Sequence, residues 1–244
     1  MGARDGAGGG RDAEPGSPYD VGVGPWPGPR PAGDHLDPDL LEHGDRRNVV
    51  DRYRYWRHDA IVADLDTRRH PFEVAIENWQ HDLNIGSVVR TANAFLAARV
   101  HIVGRRRWNR RGAMVTDRYQ HVDHHPGVAD LVAWCSAAEL PIIGVDNLPG
   151  AVPIETTALP RACVLVLGQE GPGISAEMRT ACAVTLSIAQ FGSTRSINAG
   201  AAAAIAMHTW VRQHVVPGIG DTESPAGPAP TRQPATHDAT RDGA

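Results

Sequence analysis

The sequence contains no lysine; all 24 of its basic residues are arginine. That absence removes a Walker-type phosphate loop, which needs its lysine, and otherwise reads as coding bias in an alanine-rich chain. Cysteine is nearly as scarce. Cys135, Cys163 and Cys182 stand far apart without a CxxC pair, so no disulfide framework or zinc site is encoded and no metal is expected. No apolar run approaches the roughly 20 residues that span a bilayer, so no membrane partner is expected. The first residues, MGARDGAGGGRDAEPG, lack the apolar stretch of a secretory signal. The expectation is a cytoplasmic globular protein whose 244 residues suffice for one domain with appendages.

A net charge of −4 argues against indiscriminate coating of nucleic acid. The distribution of charge says more. The stretch GRRRWNRRGAMVTDR sets Arg105, Arg106, Arg107, Arg110, Arg111 and Arg118 around Trp108. Guanidinium forks grip phosphates and an indole stacks on unpaired bases, which favours RNA contact over a merely solvated charge run.

Residues 1–35 and 216–244 are rich in Gly, Pro and charge without periodic apolar positions, and are expected to be disordered tails. Residues 36–70 form a helical-looking extension in which Arg46, Arg47, Arg52, Arg54 and Arg57 alternate with Tyr53, Tyr55 and Trp56. It reads equally as a second RNA-facing surface or as a helix docked on the domain. From 71 to 215 the pattern is orderly. FEVAIEN, RVHIVG, PIIGVD, CVLVLG and AVTLSI read as strands; NIGSVVRTANAFLA, GVADLVAWCSAAEL, SAEMRTAC and the alanine run after Asn198 read as helices. Alternating elements with nearly continuous apolar strands predict an α/β fold around a parallel sheet covered on both faces. Ligands in such folds bind beyond the carboxyl ends of the strands.

Three loops follow those strands. WQHDLNIGSVVRTA carries Asn84 and Arg90; QEGPGIS surrounds Glu170 with Gly168, Gly171 and Gly173; AQFGSTRSIN ends in Ser196 and Asn198. Ser196 or Asn198 is positioned to cap the alanine helix, and Gly200 in its first turn costs up to ~1 kcal/mol against alanine. No GxGxxG follows the first strand, so a dinucleotide site is not indicated.

Taken in order, NIGSVVRTANAF, LVLGQEGPGIS and LSIAQFGSTRSINAGAAAAIAMHTW resemble the three motifs of the SpoU family of RNA 2′-O-ribose methyltransferases, in the SPOUT superfamily. The resemblance covers about 71–214. It implies a parallel-sheet SPOUT-type α/β domain with a C-terminal trefoil knot, an exception to the rule that chains avoid threading. It also implies S-adenosylmethionine as methyl donor and a homodimer whose active site borrows from both subunits. By the same resemblance Arg90 is tied to catalysis, with Asn84, Glu170 and Asn198 as its polar frame and Ser196 on a further matching motif position of the catalytic set. Gly168, Ile188 and Ile197 fall on cofactor-contacting positions, and Arg105, Arg106, Arg107, Trp108, Arg110 and Arg111 are assigned to substrate RNA. The implied activity is methylation of a ribose 2′-hydroxyl, with tRNA favoured over rRNA; the competing reading is a catalytically silent RNA-binding protein of the same fold.

Overall fold

A computed structural model describes residues 22–79, 84–169 and 171–216. Glu170, residues 1–21 of the first expected tail and residues 217–244 of the second lie outside them.

The chain begins with α1 (Pro38–His43), a 3-10 turn (Asp51–Tyr53) and α2 (His58–Asp66), then enters β1 (Phe72–Asn78), α3 (Ile85–Ala94) and β2 (Val100–Gly104). Two 3-10 turns, Arg110–Ala113 and Thr116–Arg118, lead to β3 (Val122–His125), α4 (Val128–Ala137) and β4 (Ile142–Val145). The rest is β5 (Val152–Pro153), β6 (Cys163–Leu167), α5 (Ala176–Ala181), β7 (Val184–Ser187) and α6 (Ala199–His214). All seven strands join one sheet in the order β3-β2-β1-β6-β4-β7-β5, and every pairing is parallel.

Side chains alternate across the sheet and feed two cores. Phe72, Val74 and Ile76 of β1 face α3 and α6, where Trp210 is fully buried. Ala75 faces the other way, with Leu131 of α4 and Met178 of α5. The polar members of FEVAIEN are buried as well. Glu73 accepts from Trp134 Nε1 at 3.1 Å and meets His101 Nε2 at 2.6 Å, and His101 in turn contacts His125 at 2.8 Å. Burial pushes the Glu73 carboxyl up, but the His101 contacts and the Trp134 and Arg99 neighbours outweigh it and leave the group below its usual range.

Helix ends follow local chemistry. Ser175 Oγ accepts from Met178 N–H at 3.2 Å, and Asp130 reaches back to Gly127 N–H at 2.9 Å to open α4. At α6 the cap is Asn198, whose Oδ1 accepts from Gly200 and Ala201 N–H; no capping bond from Ser196 is involved.

The extension packs against Leu96 and Tyr119 of the sheet domain. Tyr53 and Tyr55 are buried, and Tyr53 packs with Ile61 and Leu65. Most of its arginines pair within the extension: Arg47 with Asp45, Arg52 with Asp64 and Arg57 with Asp59. The expectation of a disordered tail to residue 35 is corrected for its last part. Val23 and Asp45 exchange backbone hydrogen bonds at 2.8 and 2.9 Å, Trp26 N–H donates to Leu41 O at 2.9 Å, and Tyr55 Oη donates to Gly24 O at 2.6 Å. A segment without periodicity is ordered here by long-range partners that its composition does not display.

Candidate active site

The carboxyl ends of β4, β6 and β7 open onto a cleft of about 260 Å³. Its walls are the chain after β4 (Asp146, Asn147), the glycine loop after β6 (Gly168, Gln169, Gly171, Gly173), Ile188 and Gln190 after β7, and the segment Ser196–Ala199 at the start of α6.

Three of these walls are pinned by side chains from other segments. Gln169 and Gly173 exchange two backbone hydrogen bonds of 3.0 Å, closing the glycine loop on itself. Ile174 N–H donates to Asp146 Oδ2 at 2.8 Å, and Ser175 N–H donates to the fully buried Glu77 at 2.7 Å. In the loop after β7, Ile188 N–H donates to Asn147 Oδ1 at 3.1 Å and Ala189 N–H to Glu155 Oε1 at 2.8 Å. The glycines are needed for closure: a Cβ on Gly168 would lie 2.0 Å from the Gly173 carbonyl carbon. Asp146, Asn147, Glu155 and Glu77 were not singled out from sequence. The only available signal was the polar pair Asp146-Asn147 directly after an apolar strand.

The loop after β1 reaches the same region through α3. Asn198 Nδ2 donates to Asn84 Oδ1 at 2.8 Å, tying the start of α6 to the start of α3. Gly200 makes room for this contact, since a Cβ there would stand 3.1 Å from Asn198 Oδ1 and 3.7 Å from Asn84 Oδ1. The arginine-rich segment is anchored to the same elements. Asn78 Nδ2 donates to Arg105 O at 2.6 Å and to Arg107 O at 3.0 Å, while Arg105 N–H donates to Asn78 O at 2.8 Å. Gly86 lies against the Arg110–Ala113 turn so closely that a Cβ would be 2.7 Å from Ala113 N. Downstream, Arg69 donates to Tyr119 O at 2.8 Å and His58 Nε2 lies 2.7 Å from Arg118 O, so the docked extension braces the far end of the basic stretch.

Gly168, Ile188, Ser196, Ile197 and Asn198 all line the cleft, and Asn84 joins it through Asn198. Arg90 is exposed on α3 and does not line the cleft in this chain. Arg105, Arg106, Arg107, Arg110 and Arg111 are exposed. Trp108 is half-buried against the core, with the Arg110 guanidinium 5.5 Å from its ring centre. Arg110 also meets Asp117 at 3.3 Å.

Burial pushes the Cys135 and Cys163 thiols up to about 12 and Cys182 to about 11, so none is a thiolate nucleophile at neutral pH. Among the described residues, no group of three His, Cys, Asp or Glu side chains is placed to hold a metal ion. Among them, too, no helix is long and apolar enough to cross a membrane.

The domain is thus a parallel α/β sheet with a glycine-loop cleft at its carboxyl edge and an exposed arginine-rich loop anchored through Asn78 and Gly86. The SpoU rRNA Methylase family model matches residues 71–208, and the chain belongs to that family. It is 29% identical over 184 residues to a protein of Mycolicibacterium vanbaalenii described as an uncharacterized tRNA/rRNA methyltransferase, covering 67% of this chain and 54% of that protein. It is 25% identical over 158 residues to the tRNA (guanosine(18)-2′-O)-methyltransferase of Escherichia coli, covering 63% and 69% of the two chains. Among solved structures, the SpoU methyltransferase AviRb from Streptomyces viridochromogenes, in complex with AdoMet, superimposes with a TM-score of 0.55 at 25% identity, covering 62% of this chain and 60% of that one. The A. aeolicus TrmH/SpoU tRNA modifying enzyme shares the fold with a TM-score of 0.57 at 19% identity, covering 64% and 82%. The chain thus spans about half the length of the Mycolicibacterium relative.

Proposed function

We propose that this protein transfers a methyl group from S-adenosylmethionine to a ribose 2′-hydroxyl of structured RNA, with tRNA the preferred substrate and rRNA next. One observation carries the reading: the cleft and the arginine loop are fastened to the same helix start, through Asn84–Asn198 on one side and Gly86 on the other. A donor in the cleft and an RNA backbone on the loop are thereby held in fixed relation.

The cleft suits the donor. Val145, Leu167, Ile188, Ile197 and Ala202 offer apolar walls for a flat base, and Gln190 Oε1 is buried there with no hydrogen-bond partner among the described residues, an acceptor that a bound donor group would satisfy. When bound, S-adenosylmethionine supplies an electrophilic methyl carbon. Bound there, it would offer that carbon to a ribose oxygen held at near-attack distance, its sulfur leaving with the bonding pair, and the hydroxyl proton would pass to the adjacent phosphate or to water. A guanidinium stays charged at neutral pH and has no acceptor lone pair. Arg90 is therefore read as a clamp on the neighbouring phosphate and a stabiliser of the developing alkoxide, not as the base.

Arg90 stands outside the cleft of its own chain, which fits a homodimer in which it serves the partner's cleft. Phe191 is almost fully exposed and Ile205 of α6 partly so, leaving apolar surface near the cleft for a second copy. The segment from β6 to α6 is read as the trefoil-knotted part of the domain. The likeness to the tRNA (guanosine(18)-2′-O)-methyltransferase of Escherichia coli favours tRNA over rRNA.

The test is incubation of the purified chain with labelled S-adenosylmethionine and, separately, tRNA and rRNA, followed by mapping of 2′-O-methylated nucleotides. Ribose methylation at a defined tRNA position is expected. Label on a base, or RNA binding with no donor binding, would overturn the reading, the latter in favour of a silent RNA-binding protein.

A further inference from the structure

We infer that Asp146 reads the ribose of the methyl donor, its carboxylate accepting hydrogen bonds from the vicinal hydroxyls of the adenosyl group. The inference rests on the cofactor reading above and adds a side chain to it.

Asp146 is the only charged side chain lining the cleft among the described residues. It follows β4, which lies between β6 and β7 in the sheet, so it stands between the two loops that form the opposing walls. Its position is fixed at two points: Asp146 N–H donates to Leu186 O at 2.9 Å, and Oδ2 accepts from Ile174 N–H at 2.8 Å. The glycine loop has also given up a side chain to seat it. Gly173 adopts φ +72°, and a Cβ there would lie 2.2 Å from Asp146 Oδ2. Oδ1 accepts no hydrogen bond from a described residue.

The chemistry narrows the ligand group. A fixed carboxylate with an uncommitted oxygen can accept two hydroxyl donors at once, and a vicinal diol supplies two at matching spacing. The remaining walls are apolar or neutral, which suits a nucleoside base and not a second anion. In dinucleotide-binding folds an acidic side chain at a strand's carboxyl end fills this role toward ribose. The alternative is that the carboxylate recognises the positive sulfonium. That use would stabilise charge in the ground state that is lost in the transition state, and so would oppose the reaction.

The experiment is calorimetric titration of the full chain with S-adenosylmethionine, S-adenosylhomocysteine and the 2′-deoxy form of S-adenosylhomocysteine, for wild type and Asp146→Asn. The asparagine oxygen still accepts from Ile174, so the thermal midpoint should hold. Wild type is expected to prefer the diol over its 2′-deoxy form by about tenfold, a typical charged hydrogen bond, and Asp146→Asn to lose most of that preference. An undiminished preference in Asp146→Asn would overturn the inference. So would a variant that keeps the diol preference while losing wild-type discrimination between S-adenosylmethionine and S-adenosylhomocysteine, because the carboxylate would then be reading charge. A wild-type chain that binds neither donor nor product brings down the cofactor reading, and this inference with it.

Discussion

Replacing Gly168 by alanine is expected to dismantle the cleft while leaving the rest of the sheet folded. The added Cβ would sit 2.0 Å from the Gly173 carbonyl carbon, 2.2 Å from Ile174 N and 2.4 Å from Gly173 O, all backbone atoms. Carbon contacts relax near ~3.5–4 Å, so the two arms of the loop must part by roughly 1.5 Å. That separation breaks both Gln169–Gly173 hydrogen bonds and draws Ile174 from Asp146. Three such bonds at about 0.5–1.5 kcal/mol each amount to roughly 2–4 kcal/mol. The lower entropy of an unfolded alanine returns at most ~1 kcal/mol. At about 2–4 °C per kcal/mol for a domain of this size, the net loss of roughly 1–3 kcal/mol should lower the melting midpoint by roughly 2–12 °C. Donor affinity should fall with it. Thermal melts and donor titration check both, with Gly192→Ala as the control, since a Cβ there meets nothing within 4 Å. If Gly168→Ala melts within about 2 °C of wild type and binds the donor normally, the close approach is not a feature of the protein.

Asn198→Ala should destabilise by about 1–2 kcal/mol in urea melts, through loss of the α6 cap, and a double-mutant cycle with Asn84→Ala should show coupling near ~1 kcal/mol; zero coupling would deny the link between the two motifs. Changing Arg105, Arg106 and Arg107 together to Gln should weaken RNA binding and lower its log–log salt slope by about 2–3, with donor affinity untouched; an unchanged slope would remove that loop from the RNA surface. Stability should also fall in mild acid. Burial and the neighbouring His101 hold His125 below 6.5, and burial does the same to His70, so the unfolded chain takes up protons first as pH drops. Their contribution is complete above about pH 6.5 and declines as pH falls toward their folded values, with Glu73 adding a further loss below its ordinary range near ~4.5. Urea midpoints measured across this window should slope downward, less steeply for His125→Asn, and a flat profile would contradict the buried pairing.

The interior of the fold was legible in the sequence because its strands are apolar and its helices amphipathic. The two strands that went unread, β3 and β5, are the two edges of the sheet. Edge strands need no apolar run: β3 is Val-Asp-His-His and β5 is two residues ending in a proline that an interior position would reject. In β1 the alternation was visible but misleading, since Glu73 and Glu77 look like a solvent face and are buried on partners at His101 and Ser175. The glycine loop could be found from local pattern, whereas Ile188 and Ile197, which line the cleft, came only from the family resemblance. Asp146, Asn147 and Glu155 could not be found, because they act on Ile174, Ile188 and Ala189, and no local period records such pairings. Gly200 shows the same limit: by propensity it weakens a helix start, yet it admits the Asn84–Asn198 contact.

The order of strands in the sheet has a consequence for synthesis. β1 pairs with β2 soon after both are made, but its other edge is completed by β6, with Phe72 opposite Cys163. A nascent chain must therefore carry a nearly finished, apolar half-sheet with one open border until residue 163 has cleared the ribosome. Such a border invites strand addition from a neighbouring polypeptide. Factors that shield nascent chains, or a brisk passage of translation between residues 140 and 170, should thus raise the yield of folded protein.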